Sequence, residues 1–199
     1  GRHCPKRSVL GIVKHPGAFS EVFTLPECNL LRVPDSLASE QAVFAEPVAA
    51  ACEILDQVKI PRGAEVAVLG DGKLGLLVSQ VLHAHGAVVR LFGRHREKLR
   101  IAAALGIDAR APRHLPAGRF GFTVDATGSG EGLAQAVAMT RPRGMVILKS
   151  TVHGLVSVDT APVIVNEISL VGSRCGRLQR ALPLLRAGKA GLLLIPGLT

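Results

Sequence analysis

The chain contains no tryptophan and no tyrosine, and its aromatic content is confined to six phenylalanines. A formal charge of +9 would ordinarily raise nucleic acid as a partner. Without aromatic side chains interleaved among clustered lysines and arginines, however, the chain has no platform on which bases would stack, and no nucleic-acid partner is expected. Cysteine is scarce as well. Cys4, Cys28, Cys52 and Cys175 stand far apart with no C-x-x-C pair, which excludes a disulfide framework and a complete zinc knuckle and favours a reducing, cytoplasmic setting. No apolar run approaches the roughly 20 residues that span a membrane, and no basic segment followed by an apolar stretch opens the chain. Repeats and low-complexity segments are also missing. What is present is 199 residues of 48% hydrophobic composition, enough for one substantial core and a smaller attached piece. The first residue is Gly1 rather than Met, from which a longer parent protein is expected.

The most informative stretch is Gly70-Asp71-Gly72-Lys73-Leu74-Gly75. An apolar run, Glu65 to Leu69, leads into it, and a helical pattern with Leu74, Leu77, Val78, Val81 and Leu82 on one face leaves it. A G-x-G-x-x-G between strand and helix is where a dinucleotide pyrophosphate would sit, on the unpaired N–H groups of the helix start. The other reading is a plain glycine turn. The helix stops near His85-Gly86, a second strand runs from Ala87 to Phe92, and Gly93-Arg94-His95-Arg96 follows. An acidic residue about 20 positions beyond the glycines marks an NAD site, whereas arginine there can hold a 2′-phosphate. Counting from Gly75, that position is Arg94, and no Asp or Glu occurs in the turn before Glu97. Arg94, His95 and Arg96 therefore point to NADP(H) over NAD(H); the alternative is that the arginines only solvate a surface turn.

Residues 1 to about 38 read as short strands, Val9–Val13, Ala18–Leu25 and Asn29–Val33, separated by turns. A helical pattern runs from about Ser39 to Val58, with Glu46-Pro47 near a helix start. Beyond the glycine motif, helices are expected at about His95–Leu105, Glu131–Met139 and Leu178–Ala187. Strands are expected at Phe122–Ala126, Met145–Leu148 and Ile168–Val171, before an apolar tail, Leu192 to Thr199. Strand and helix alternate with short connections, which is the pattern of an α/β fold, a doubly wound parallel sheet of Rossmann type.

Taken together, these residues resemble the zinc-dependent alcohol dehydrogenase group of the medium-chain dehydrogenase/reductase superfamily, the polyol and threonine dehydrogenase-like members above all. Gly17-Ala18-Phe19-Ser20-Glu21-Val22, Asn29-Leu30, Val33-Pro34-Asp35, Glu46-Pro47, Val124-Asp125-Ala126-Thr127-Gly128 and Glu167 to Gly172 fall in family order over about residues 3 to 190. The resemblance implies a remnant of a GroES-like β domain over residues 1–38 and an NAD(P)-binding Rossmann domain over 39–199. It also implies that Cys4, in His3-Cys4-Pro5, ends a structural zinc lobe and that Glu46 lies at the catalytic zinc of the parent. Bland readings stand beside both: a free cysteine near a terminus, and a carboxylate that favours a helix start. Neither zinc site has its remaining ligands in this sequence. By the same resemblance, Thr127, Gly128, Lys149, Ser150 and Thr151 border the nicotinamide. No residue is singled out as catalytic.

The expected function is an NADP(H)-dependent oxidoreductase of the alcohol dehydrogenase type, moving hydride between nicotinamide and an alcohol or carbonyl substrate, with zinc in the full-length parent and no activity in this piece alone. The alternative is a non-catalytic dinucleotide-binding module. The edge near Ile168 to Val171 offers a surface on which a homo-oligomer could pair.

Overall fold

Val66, Ala67, Val68 and Leu69 are all buried, and the strand that contains them, β1 (Glu65–Leu69), lies inside a six-stranded sheet. Burial on both faces is what an unbroken Val/Ala/Leu run specifies. The computed structural model describes residues 3–187; the apolar tail from Leu192 falls outside them. The chain divides into two compact units, Gly1–Pro34 and Asp35–Thr199.

In the larger unit the helices are α1 (Ser39–Ala42), α2 (Ala45–Gln57), α3 (Lys73–His85), α4 (Arg96–Ala103), α5 (Gly132–Met139), α6 (Ala161–Val165) and α7 (Leu178–Arg186). The other strands are β2 (Val88–Phe92), β3 (Asp108–Arg110), β4 (Phe120–Asp125), β5 (Thr140–Leu148) and β6 (Ser169–Gly172). Their order is β3-β2-β1-β4-β5-β6, and every pairing is parallel. Right-handed crossovers that leave β1 in one direction and β4 in the other put their helices on opposite faces. Accordingly α3 packs on β1 and β2 and against α2 and α4, whereas α5 packs on β4 and β5. Ala67, Leu69, Phe92, Phe120, Val137, Met139 and Val146 build the core on the α5 side. Where the order reverses, between β1 and β4, the strand ends leave a crevice.

The doubly wound sheet is the one expected from the sequence. Its boundaries differ in small ways: the helical stretch from Ser39 to Val58 is two helices, and Pro47 sits in the first turn of α2, where its missing N–H costs no bond. Two short elements, β3 and α6, are additional. In the Gly1–Pro34 unit the expected strands do not form among the described residues. Val9 and Val13 make an isolated antiparallel bridge and Glu27–Asn29 a single 3-10 turn. An alternating pattern supplies one apolar face, but a strand also needs a neighbour for its N–H and C=O groups, and Phe19, Val22 and Leu30 are exposed.

Candidate dinucleotide site

The three motif glycines are glycine for different reasons. Gly70 has φ +105°, and a Cβ there would collide with the Ala126 carbonyl, so the turn after β1 lies flush on the loop after β4. A Cβ on Gly75 would strike the Gly70 carbonyl oxygen. Gly72 has φ −67°, ordinary for any residue, and a Cβ on it would meet nothing within 4 Å. It is exposed at the cap of α3, with no side chain bonded to the first N–H groups of that helix. The fold thus explains Gly70 and Gly75, and leaves open space over Gly72.

That space belongs to a crevice of about 380 Å³ at the switch point, lined by the Gly70–Gly72 turn, Phe92, Gly93, Arg94, His95, Lys98, Pro112, Thr127, Ser129 and Gln135. Asp71 closes one side of it. Its carboxylate accepts the backbone N–H of His95 at 2.6 Å and lies 3.0 and 3.1 Å from His95 Nδ1. Gly93 has no room for a side chain because Asp71 fills it. Burial by itself would raise the Asp71 pKa, but the hydrogen bonds from the backbone and ring of His95, and the ring's charge, hold it below its usual value. Both oxygens of Asp71 are thereby engaged, and it is the single carboxylate among the lining residues. Arg94 and Lys98 make no ion pair among the described residues and are free to meet an anion.

On the β4 side, Asp125 Oδ1 accepts Thr127 N at 3.0 Å, Thr127 Oγ1 at 2.8 Å and Ser150 Oγ at 3.0 Å. Ser150 Oγ in turn accepts Gly128 N at 2.9 Å. This network stitches the ends of β4 and β5 together.

Of the residues singled out from the sequence, Gly70, Gly72, Arg94, His95 and Thr127 come together around the crevice. Gly75 is buried behind the turn, and Lys73 is exposed at the first position of α3 with Leu74 beside it. Gly128, Ser150 and Thr151 do not line the crevice; Ser150 holds the loop, and Thr151 is exposed. Arg96 is exposed at the start of α4 and lies outside the lining. About 100° of rotation per residue separates it from His95, whereas Lys98, three residues on, returns to the His95 face. The sequence reading passed over Asp71 and Lys98. The signal for Lys98 was that spacing; Asp71 stood inside the motif, but its partner lies 24 residues away and no local pattern links them.

The described residues do not make a zinc site. No three His, Cys, Asp or Glu side chains among them gather to hold a metal. Glu46 is exposed in the first turn of α2, and Cys4 is exposed in the other unit.

Comparison with known proteins gives the site its context. The sequence profile described as zinc-binding dehydrogenase matches residues 74–187. The (R,R)-butanediol dehydrogenase of Bacillus subtilis (strain 168) is 28% identical over 174 residues, covering 82% of this chain and 50% of the relative. A zinc-binding dehydrogenase structure from Sinorhizobium meliloti 1021, bound to NADP, superposes with a TM-score of 0.80 at 25% identity, over 89% of this chain and 57% of that one. An alcohol dehydrogenase from E. coli CFT073, complexed with NADH, gives a TM-score of 0.81 at 26% identity over 92% and 58%. The chain spans between 50% and 58% of the length of the first curated relatives it matches. The profile match covers more than half of the sequence, and the sheet is the one those structures carry: the chain belongs to the zinc-binding dehydrogenase family, within the zinc-type alcohol dehydrogenase group of the medium-chain superfamily.

Proposed function

We propose that the chain is the dinucleotide-binding part of an NADP(H)-dependent oxidoreductase acting on a small alcohol or carbonyl substrate. The observation that carries the cofactor choice is the charge of the crevice: Arg94, His95 and Lys98 line it, and the only lining carboxylate, Asp71, is taken up by His95. An adenosine ribose with free hydroxyls would find no carboxylate acceptor there, whereas a 2′-phosphate would find two unpaired cations. The space above Gly72 and the uncapped start of α3 suit the diphosphate. Thr127 and Ser129 also line the crevice.

When bound, the nicotinamide supplies the hydride chemistry; the residues described here bind and orient it. The same reading assigns residues 1–38 to a remnant of a GroES-like β domain and 39–199 to the Rossmann domain. In its support, every buried hydrophobic residue among those described, Leu37 excepted, lies within 39–199. Four free cysteines suit a reducing compartment. No helix among the described residues is long and apolar enough to cross a membrane. Among the described residues strand β6 pairs with β5 alone, and that edge is where a second copy would add.

Zinc belongs to the reading only through the full-length parent, because the described residues gather no ligand set. That observation also favours a second reading, a dinucleotide-binding module without catalysis. Calorimetry on the 199-residue chain tests the cofactor assignment: NADPH is expected to bind at least tenfold more tightly than NADH, the worth of one charged hydrogen bond at about 1.5 kcal/mol or more. Equal affinities would overturn it. An absorbance assay with the same chain is expected to show no alcohol or aldehyde turnover; measurable, chelator-sensitive turnover would sink the view that this chain lacks a working metal site.

A further inference from the structure

We propose that Asp71 and Gly93 form one specificity element: the Asp71 side chain fills the room that any side chain at position 93 would need, and so bars a ribose-binding acid from the turn after β2. The inference rests on the reading of the crevice as an NADP(H) site and deepens it.

Gly93 is the first residue beyond β2 and lines the crevice. It stands about 20 residues past the motif glycines, the distance at which an NAD site carries its acid. Gly93 is buried, and a Cβ on it would run into Asp71 Cβ, Cγ and Oδ2. Its φ is not positive, so the backbone there does not call for glycine; the Asp71 side chain does.

Neither partner can retreat. The Gly70 N–H donates to the Phe92 carbonyl at 2.8 Å, and Gly70 lies flush on the Ala126 carbonyl, which fixes the turn that carries Asp71. The Gly93 N–H donates to the Arg110 carbonyl at 3.0 Å, which holds the other side to the end of β3. Rotating the Asp71 side chain does not clear the space, because its Cβ, which no rotamer moves, is among the atoms met. Only glycine at position 71 would admit a side chain at 93; alanine would keep the collision. Nor does Asp71 replace the acid it bars. Its Oδ2 accepts the His95 N–H at 2.6 Å, both oxygens lie within 3.1 Å of His95 Nδ1, and the side chain is 8% exposed. Arg94 and Lys98 therefore line the crevice with no acid from position 93 beside them. Specificity is a difference of affinities, and excluding that acid withholds a partner from NADH while sparing the 2′-phosphate of NADPH a like charge.

Thermal melting and calorimetry on single and paired variants test this. Gly93→Asp alone is expected to melt about 5 °C or more below the unaltered chain and to gain no NADH affinity. Asp71→Gly combined with Gly93→Asp should recover most of that melting loss. The same pair should bind NADH about tenfold more tightly than the unaltered chain does, the worth of one charged hydrogen bond to the ribose, and should lose NADPH affinity. Asp71→Ala combined with Gly93→Asp should recover neither the melting nor the binding, and Asp71→Gly alone should gain no NADH affinity. NADH affinity gained by Gly93→Asp alone with normal melting would overturn the inference, as would a combined Asp71→Gly and Gly93→Asp variant that melts no higher than Gly93→Asp. Melting recovered in that combined variant without a gain for NADH would reduce the pair to packing and overturn it as well. Each of these results leaves the cofactor reading intact. Equal affinity of the unaltered chain for the two dinucleotides would bring down the cofactor reading and the inference together.

Discussion

A side chain at Gly72 would project into open space, whereas one at Gly75 would meet the Gly70 carbonyl oxygen, so substitutions three residues apart test different things. Gly72→Val is expected to leave the far-ultraviolet circular dichroism and the melting temperature nearly unchanged, because nothing in the protein occupies that volume. It should abolish NADPH binding if the diphosphate lies there. Normal affinity in this variant would reduce the motif to a structural turn. Gly75→Ala should instead destabilise the fold, by about 1–3 kcal/mol as for an overpacked core position, read from a denaturant titration. At the same scale, Cys52 is buried in α2, and its thiol pKa is pushed up by that burial despite nearby Arg180. Cys4 and Cys28 are exposed. A thiolate-directed alkylating reagent should therefore label Cys4 and Cys28 in the native chain and reach Cys52 only on unfolding; early labelling of Cys52 would contradict the packing of α2.

Among the elements, β3 is the least self-sufficient: three residues, Asp108–Arg110, with none of them buried. It is held to β2 by a carboxylate shared between two arginines, Arg90 Nε at 2.6 Å and Arg110 Nε at 2.7 Å from Asp108. Burial alone would raise the Asp108 pKa, yet the hydrogen bonds and charges of Arg110 and Arg90 hold it below the usual range. A carboxyl with a depressed folded-state pKa contributes stability that is complete above its unfolded value of about 3.9 and disappears as pH falls through the folded value. Asp71 behaves in the same sense. The melting temperature is therefore expected to hold from pH 7 to about 5 and to fall below about pH 4. Asp71→Asn and Asp108→Asn should each flatten that fall, and a parallel acid transition in both variants would show that other carboxylates govern it. Because Asp108 is partly exposed, solvent screening keeps its share small.

For the whole molecule, the separation into Gly1–Pro34 and Asp35–Thr199 has a measurable consequence. The described residues before Asp35 contribute no buried hydrophobic side chain, so they add little of the area-dependent driving force for folding. A chain beginning at Asp35 is expected to unfold cooperatively within a few degrees of the longer one and to keep its NADPH affinity. Loss of cooperative melting on that deletion would show that the first 34 residues complete the core.

The sequence by itself determined the sheet and its chief helices, since each is written in local signals: apolar runs at β1 and β2, a one-face stripe along α3, and a stop at Gly86, whose φ of +99° favours glycine. It also placed Gly70, Gly72 and Arg94 at the crevice, because their spacing from strand ends is fixed by chain geometry. It misjudged residues 9–33, where an apolar alternation suggested strands. Strand formation depends on a partner for the backbone, which no single segment can announce. It missed β3, whose Asp-Ala-Arg carries no apolar pattern and whose stability comes from Arg90 on the neighbouring strand. Only the tertiary structure decided that Asp71 belongs to His95, because 24 residues of chain return to the same point only when β2 pairs in parallel with β1. Only it decided that Lys98 and not Arg96 turns toward the crevice, since that depends on the rotational phase with which α4 leaves the sheet.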